Sequence, residues 1–300
     1  VLAAIAVWLT IRFPDFRTGA NLSVLLSGIA EVAIVAAGMT LVIATGGIDI
    51  SVGSVVGFSG VVLGVLVVEK QWGLLPALIA TCLAGTLCGA VNGVLIARFK
   101  VPPIIATLAG LSAARAGAYI LSDGNSLSGL PDAMVEFGLN NWMGVPKPAW
   151  LAAGILFFTG LLLKKTSIGR SILALGGSRE ATYLSGIRTA NVELLVYALC
   201  GLLAAVSAIV VTARGATATP DAGKGFELTA ITAVVMGGTP VSGGRATIWG
   251  TVLGMLAIAL VQNGVISYGG DGVRVQLVLG AVLLLSVEVD RWRTRRNLKA

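Results

Sequence analysis

Long apolar runs separated by short polar stretches dominate this chain. They cover residues 1–12, 22–45, 50–68, 74–97, 101–121, 149–163, 194–213, 228–240, 245–267 and 272–289. A helix needs about 20 mostly apolar residues to cross a bilayer, so the pattern predicts an all-α, polytopic membrane protein of about ten transmembrane or half-spanning helices. The first run is cut by the start of the chain, and 149–163 is short. The run 228–240 is also short and ends in Gly237-Gly238-Thr239-Pro240, which suits a half-helix or a re-entrant segment. Residues 1–300 read as one transmembrane domain, with no polar segment large enough for a soluble catalytic domain. Val1 stands inside an apolar run with no basic leader or cleavage site, so no signal peptide is expected and a short N-terminal piece is expected to be missing.

Composition agrees with the pattern and narrows the chemistry. Of 300 residues, 56% are hydrophobic and only 12% charged, against about 25% in a soluble domain. The mean hydropathy is +0.93. The chain has no histidine, which excludes Ser-His-Asp and Cys-His catalysis and histidine-ligated metal or haem. Cys82, Cys88 and Cys200 all lie in apolar runs without a CxxC pair and read as small buried hydrophobes. No metal, cofactor or catalytic residue is expected.

The net charge of +7 is a matter of topology rather than of nucleic-acid binding. Arg291, Arg293, Arg295, Arg296 and Lys299 crowd the C-terminal tail, and Lys164, Lys165, Arg170, Arg179 and Arg188 crowd the loop after 163. Both stretches should be cytoplasmic. Ten crossings then put Arg98, Lys100 and Arg245 on the same side, leaving seven positives opposite (Arg12, Arg17, Lys70, Lys147, Arg214, Lys224 and Arg274). Both termini are expected on the cytoplasmic side of the membrane.

Polar motifs interrupt the runs at a few places. Gly46-Gly47-Ile48-Asp49-Ile50-Ser51-Val52-Gly53 ends one apolar run and starts the next. It reads as a tight turn in which Asp49 or Ser51 caps a helix. The other reading is a helix break that places the carboxylate near a pathway or a partner subunit. Gly237-Gly238-Thr239-Pro240-Val241-Ser242-Gly243-Gly244 repeats its Gly-Gly-x-x-x-Ser-x-Gly spacing, a degenerate internal repeat of the kind found in transporters built from related halves. Asn92-Gly93 and Gln262-Asn263-Gly264 lie within apolar runs, where an amide serves interhelical hydrogen bonding or a pathway. Gly85, Gly89 and Gly93 are spaced for close helix contact. Glu31 and Arg115 are the clearest ionisable groups at membrane depth, and each needs a partner or water. Ser178 to Leu184 is compatible with a short helix, capped by Ser178 and with Glu180 in its first turn.

The run at 46–53 resembles the hallmark of bacterial ATP-binding-cassette sugar-importer permeases of the ribose/xylose/arabinose group. Thr166 to Ile187, and Lys224 through Gly244, are similar to that family's cytoplasmic loop and C-terminal block, so the likeness extends over nearly the whole chain. Val101 to Leu108 and Gly129-Leu130-Pro131 also resemble autoinducer-2 and rhamnose-type relatives. The resemblance implies that Ser178, Arg179, Glu180, Ala181, Thr182 and Gly186 form a coupling helix for an ATPase subunit, with Thr182 where the broader family pattern has alanine. It also implies a second permease copy or paralogous permease, two ATP-binding subunits, a periplasmic substrate-binding protein and a small sugar as cargo. Membrane lipid surrounds the bundle, and nucleic acid is not expected. The breaks at Gly46, Gly47, Asp49, Ser51 and Gly53, and at Gly237, Gly238, Ser242 and Gly244, would be the moving parts. Asn92, Thr107, Gln262, Asn263 and Glu31 are candidates to line the path. An ion-coupled secondary transporter depending on Glu31 is the alternative.

Overall fold

The computed structural model describes residues 18–297 and, before them, 8, 10, 12, 13 and 16; at 20, 283, 286, 287 and 289–297 only the backbone is described. Most of the expected run 1–12, together with Asp15, Arg17, Lys299 and the four C-terminal arginine side chains, lies outside the described residues. From Gly19 onward the helices are α1 (Gly19–Ala44), α2 (Val52–Gly64), α3 (Leu74–Ala97), α4 (Pro103–Leu121), α5 (Asp132–Leu139), α6 (Lys147–Lys165), α7 (Ser167–Gly177), α8 (Arg179–Leu184), α9 (Thr189–Gly215), α10 (Phe226–Met236), α11 (Ile248–Ser267) and α12 (Gly272–Asn297). A π-helical turn, Val65–Glu69, extends α2. Among the described residues, seven of these helices are long and apolar enough to cross a membrane: α1, α2 with its π-turn, α3, α4, α6, α9 and α11.

Every apolar run after the first falls on a helix. The run 228–240 holds only the eleven residues of α10, about 16 Å of helix, half of a hydrocarbon core of about 30 Å. The half-helix expected there is observed. Local chemistry sets the helix starts. Thr18, Thr166, Ser178 and Thr247 each accept a backbone N–H in the first turn of the helix that follows. Pro103 and Pro148 open α4 and α6, where a missing N–H is harmless. Helix α9 starts five residues before the expected 194, because Glu193 is neutralised by Arg179 and so can sit in a buried turn.

Helices α1 and α9 form the centre. From Ala30 to Ala44 every residue of α1 except Val32 is buried, as expected for a helix that is apolar on all sides. Helix α9 packs on α1, α2 and α3. Its contact with α3 runs along the small residues: a Cβ at Gly85 would lie 2.6 Å from the Gly201 carbonyl oxygen. The opposite face of α3 presents Leu75, Ile79, Leu83, Leu87 and Val91, exposed and four residues apart, a surface that suits lipid.

The bundle has two distinct ends. One carries α7 and α8 with the ends of α1 and α10 and the Arg98–Lys100 turn. At the far end strand β1 (Leu127–Ser128) pairs with β4 (Thr217–Ala218), and β2 (Asn141–Trp142) with β3 (Val145–Pro146). The far-end segment 122–148, between the apolar runs 101–121 and 149–163, also folds helix α5, whose Gly138 backs directly onto Ala213 and Arg214.

Candidate functional site

The two glycine-rich breaks, 191 residues apart in sequence, touch each other. Breaking α1 at Ala44 leaves its last carbonyls without helical partners. The Gly244 N–H donates to the Ala44 carbonyl at 3.0 Å. Gly243 has φ +80° and Gly46 φ +81°, and a Cβ at Gly243 would stand 2.5 Å from the Gly46 nitrogen. Helix α7 closes the joint, since a Cβ at Gly176 would collide with both the Ala44 oxygen and the Gly244 nitrogen. Gly237 and Gly238 end α10, Gly238 at φ +89°. Gly47 lies beside the buried hydroxyl of Tyr197. Gly53 is a correction: it lies inside α2, one residue past its start, where it admits Glu227 and the Gly223 carbonyl.

Asp49 and Ser51 sit at the start of α2 in a buried polar cluster. The Asp49 carboxylate accepts from the Ser51 N–H at 2.9 Å and from the Ser51 hydroxyl at 2.6 Å. The Asn92 amide donates to the Ser51 Oγ at 2.9 Å. Ser51 therefore makes no capping bond with its side chain, contrary to one expected reading; its hydroxyl joins α3 to the break instead. The Thr107 hydroxyl donates to the Pro103 carbonyl at 2.9 Å and lies 3.4 Å from the Ile48 carbonyl, so α4 also meets the break. Asn92 and Thr107 thus belong to one site.

Helix α8 projects from this end. Ser178 accepts from the Ala181 N–H at 3.2 Å, and Gly186 ends the turn at φ +81°. Thr182 is buried and donates to the Ser178 carbonyl, whereas Glu180, Tyr183 and Leu184 are exposed. Arg179 makes a bidentate pair with Glu193 at 2.5 and 2.8 Å, which ties α8 to the start of α9. Arg98, Lys100, Arg179, Glu180, Tyr183 and Arg188 line a cleft of about 640 Å³ beside α8. Because α7 leads straight into α8, this exposed helix is joined through Gly176 to both breaks. Ser178 to Leu184 is legible as a short helix, but nothing in the sequence singles out Gly176.

The remaining candidates lie elsewhere. Glu31 is buried in α1 and pairs with Arg214 of α9 at 2.6 Å, at the rim of a cleft of about 500 Å³. Arg214 was a loop charge by hydropathy alone, because it follows the apolar run by one residue. Arg115 donates to the Pro220 and Ala222 carbonyls and, at 3.2 Å, to the Gly53 carbonyl. The Asn263 amide donates to Asn21 at 3.1 Å, linking α11 to α1, and Gln262 is half-buried beside it. Among the described residues no group of three His, Cys, Asp or Glu side chains could hold a metal ion.

Comparison with known proteins gives a coherent set of relatives. The family described as branched-chain amino acid transport system permease component matches residues 21–287. The ribose import permease protein of Escherichia coli strain K12 is 39% identical over 294 residues, 97% of this chain and 91% of that protein. The ribose import permease protein of Bacillus subtilis strain 168 is 37% identical, covering 97% and 90%. The L-arabinose transport system permease protein of Escherichia coli strain K12 is 35% identical, covering 98% and 90%. No solved structure gives a significant match.

Proposed function

Because the chain belongs to the family of branched-chain amino acid transport system permease components, we propose that it forms the path through which an ATP-driven importer carries a monosaccharide. It is a multi-pass permease subunit of an ATP-binding-cassette importer and is not itself catalytic. Hydrolysis belongs to a separate ATP-binding subunit, and a substrate-binding protein presents the solute. The observation that carries the choice of cargo is the likeness, over 97% of the chain, to a permease named for ribose import. Glu31 gives no ground for ion coupling, since its carboxylate is held by Arg214.

The finer organisation follows from the same reading. Two permease chains, identical or paralogous, stand over two ATP-binding subunits in a bacterial inner membrane, with the binding protein on the periplasmic side. The α7–α8 end and both termini face the cytoplasm, in keeping with the basic cleft beside α8. Residues 178–186 dock on the ATPase. ATP binding moves α8, α7 carries the motion to Gly176, and the breaks at 46–51 and 237–244 shift together. Asn92 and Thr107 hold the first break to α3 and α4, and the Asn263–Asn21 bond holds α11 to α1. Gln262, half-buried on α11, is left to face the path.

The test is uptake by the reconstituted assembly. Vesicles holding the permease, its ATP-binding subunit and its binding protein should accumulate labelled D-ribose or L-arabinose only with ATP, and a protonophore should have no effect. Uptake without ATP that collapses with the protonophore would contradict the reading.

A further inference from the structure

Between α9 and α10 the chain runs without helix from Ala216 to Gly225. It starts at the far end, where Thr217 and Ala218 pair with β1, and then turns inward. Its depth follows from two helices that begin or end at the α7–α8 end. Arg115, which holds the Pro220 and Ala222 carbonyls, stands twelve residues into α4, about 18 Å from its start. The eleven residues of α10 rise about 16 Å from the second break to Phe226. Residues 220–226 therefore lie roughly halfway through a hydrocarbon core of about 30 Å.

Irregular backbone at that depth is tolerated only inside protein or against water. Arg115 satisfies the inner side of the segment. The outer side carries charge: Asp221 and Lys224 are 51% and 59% exposed in their side chains. The Tyr119 hydroxyl donates to the Asp221 carboxylate at 2.6 Å, and the Lys224 ammonium lies 2.5 Å from the same oxygen. Gln276 of α12 is exposed on the other flank, with its amide nitrogen 3.9 Å from a Cβ at Gly225. Exposed charges at this depth do not face lipid.

We propose that Tyr119, Asp221, Lys224 and Gln276, between α4 and α12, form a contact station for a neutral polyhydroxylated solute midway along the translocation path. The station rests on the reading of the chain as a sugar permease. The carboxylate accepts from hydroxyls, and the ammonium and amide donate to them. The tyrosine ring offers an apolar surface to the C–H face of a sugar. The Asp221–Lys224 pair has no net charge, so it favours neither anions nor cations. Arg115 is a positioning residue that fixes the segment from behind.

The test uses the reconstituted assembly with Cys82, Cys88 and Cys200 replaced by alanine. Lys224→Cys and Asp221→Cys are introduced singly, so that one remains if the other does not assemble, and Leu83→Cys on the outer face of α3 serves as the lipid-facing control. A membrane-impermeant methanethiosulfonate reagent, anionic for Lys224→Cys and cationic for Asp221→Cys so that neither restores the lost charge, should modify both and leave the control untouched by either reagent. Modification should cut ATP-driven uptake of labelled D-ribose or L-arabinose by about tenfold, and saturating sugar during turnover should slow the modification about threefold or more. Unreactive cysteines, modification that leaves uptake intact, or modification that sugar does not slow would overturn the station while the permease reading stands. An unmodified assembly that carries no sugar would overturn the permease reading and the station with it.

Discussion

Replacing Gly243 by alanine is expected to destabilise the permease by about 2–5 kcal/mol, roughly 1–2 for a left-handed non-glycine residue and 1–3 for the overlap. The residue has φ +80°, and its added methyl would meet the Gly46 nitrogen at 2.5 Å and the Ala44 oxygen at 2.9 Å. Those atoms are backbone, so no side chain can swing away. Relief requires the two breaks to part, which also stretches the Gly244 to Ala44 hydrogen bond. Gly154→Ala in α6 is the control: nothing lies within 4 Å of its added methyl, and alanine is the better helix former by about 1 kcal/mol. Thermal unfolding in detergent should show the midpoint falling for the first and holding or rising for the second. Equal behaviour would mean that the contact between the breaks does not support the fold.

The second large effect lies between Glu31 and Arg214. Glu31 keeps only 8% of its side chain exposed, and Arg214 keeps 35%. Arg214→Met strands a buried carboxylate and should cost about 3 kcal/mol, the low end of the range for breaking a buried pair, because Glu31 borders a cleft. Glu31→Gln should cost less, since the freed guanidinium already reaches solvent. The double variant should recover most of the loss, because no unpaired charge remains. Strict additivity of the two single effects in a thermal-unfolding cycle would deny the pairing.

The helices were legible because the bilayer demands one simple property, about 20 apolar residues in a row, that survives without tertiary context. Residues 74–97 are α3 to the residue. The shortness of 228–240 and its closing glycines marked a half-helix, and one was found. Ser178, Glu180 and Gly186 likewise marked α8, since a cap and a stop are local chemistry. The contact of the two breaks was not legible. It depends on the fold bringing Ala44, Gly176 and Gly244 together, and glycine spacing says only that something approaches closely. Arg214 stayed hidden as the partner of Glu31 because only the packing of α9 on α1 brings the two together. Helix α5 was missed because eight residues with two buried positions carry too little periodicity. Asp221 and Lys224 read as loop charges, and only the inward turn of the 216–225 segment gives them depth.

On the proposed reading, force enters this chain through α8 from a separate ATPase. Glu180 is the residue on which to measure it, because it is exposed on α8 and makes no ion pair among the described residues. A Glu180→Lys permease should therefore keep the thermal midpoint of the parent. ATP-driven sugar uptake by the reconstituted assembly should fall by about tenfold or more, equivalent to about 1.4 kcal/mol or more of lost coupling. Unchanged uptake, with the ATP-binding subunit still bound as in the parent, would mean that force does not enter through α8.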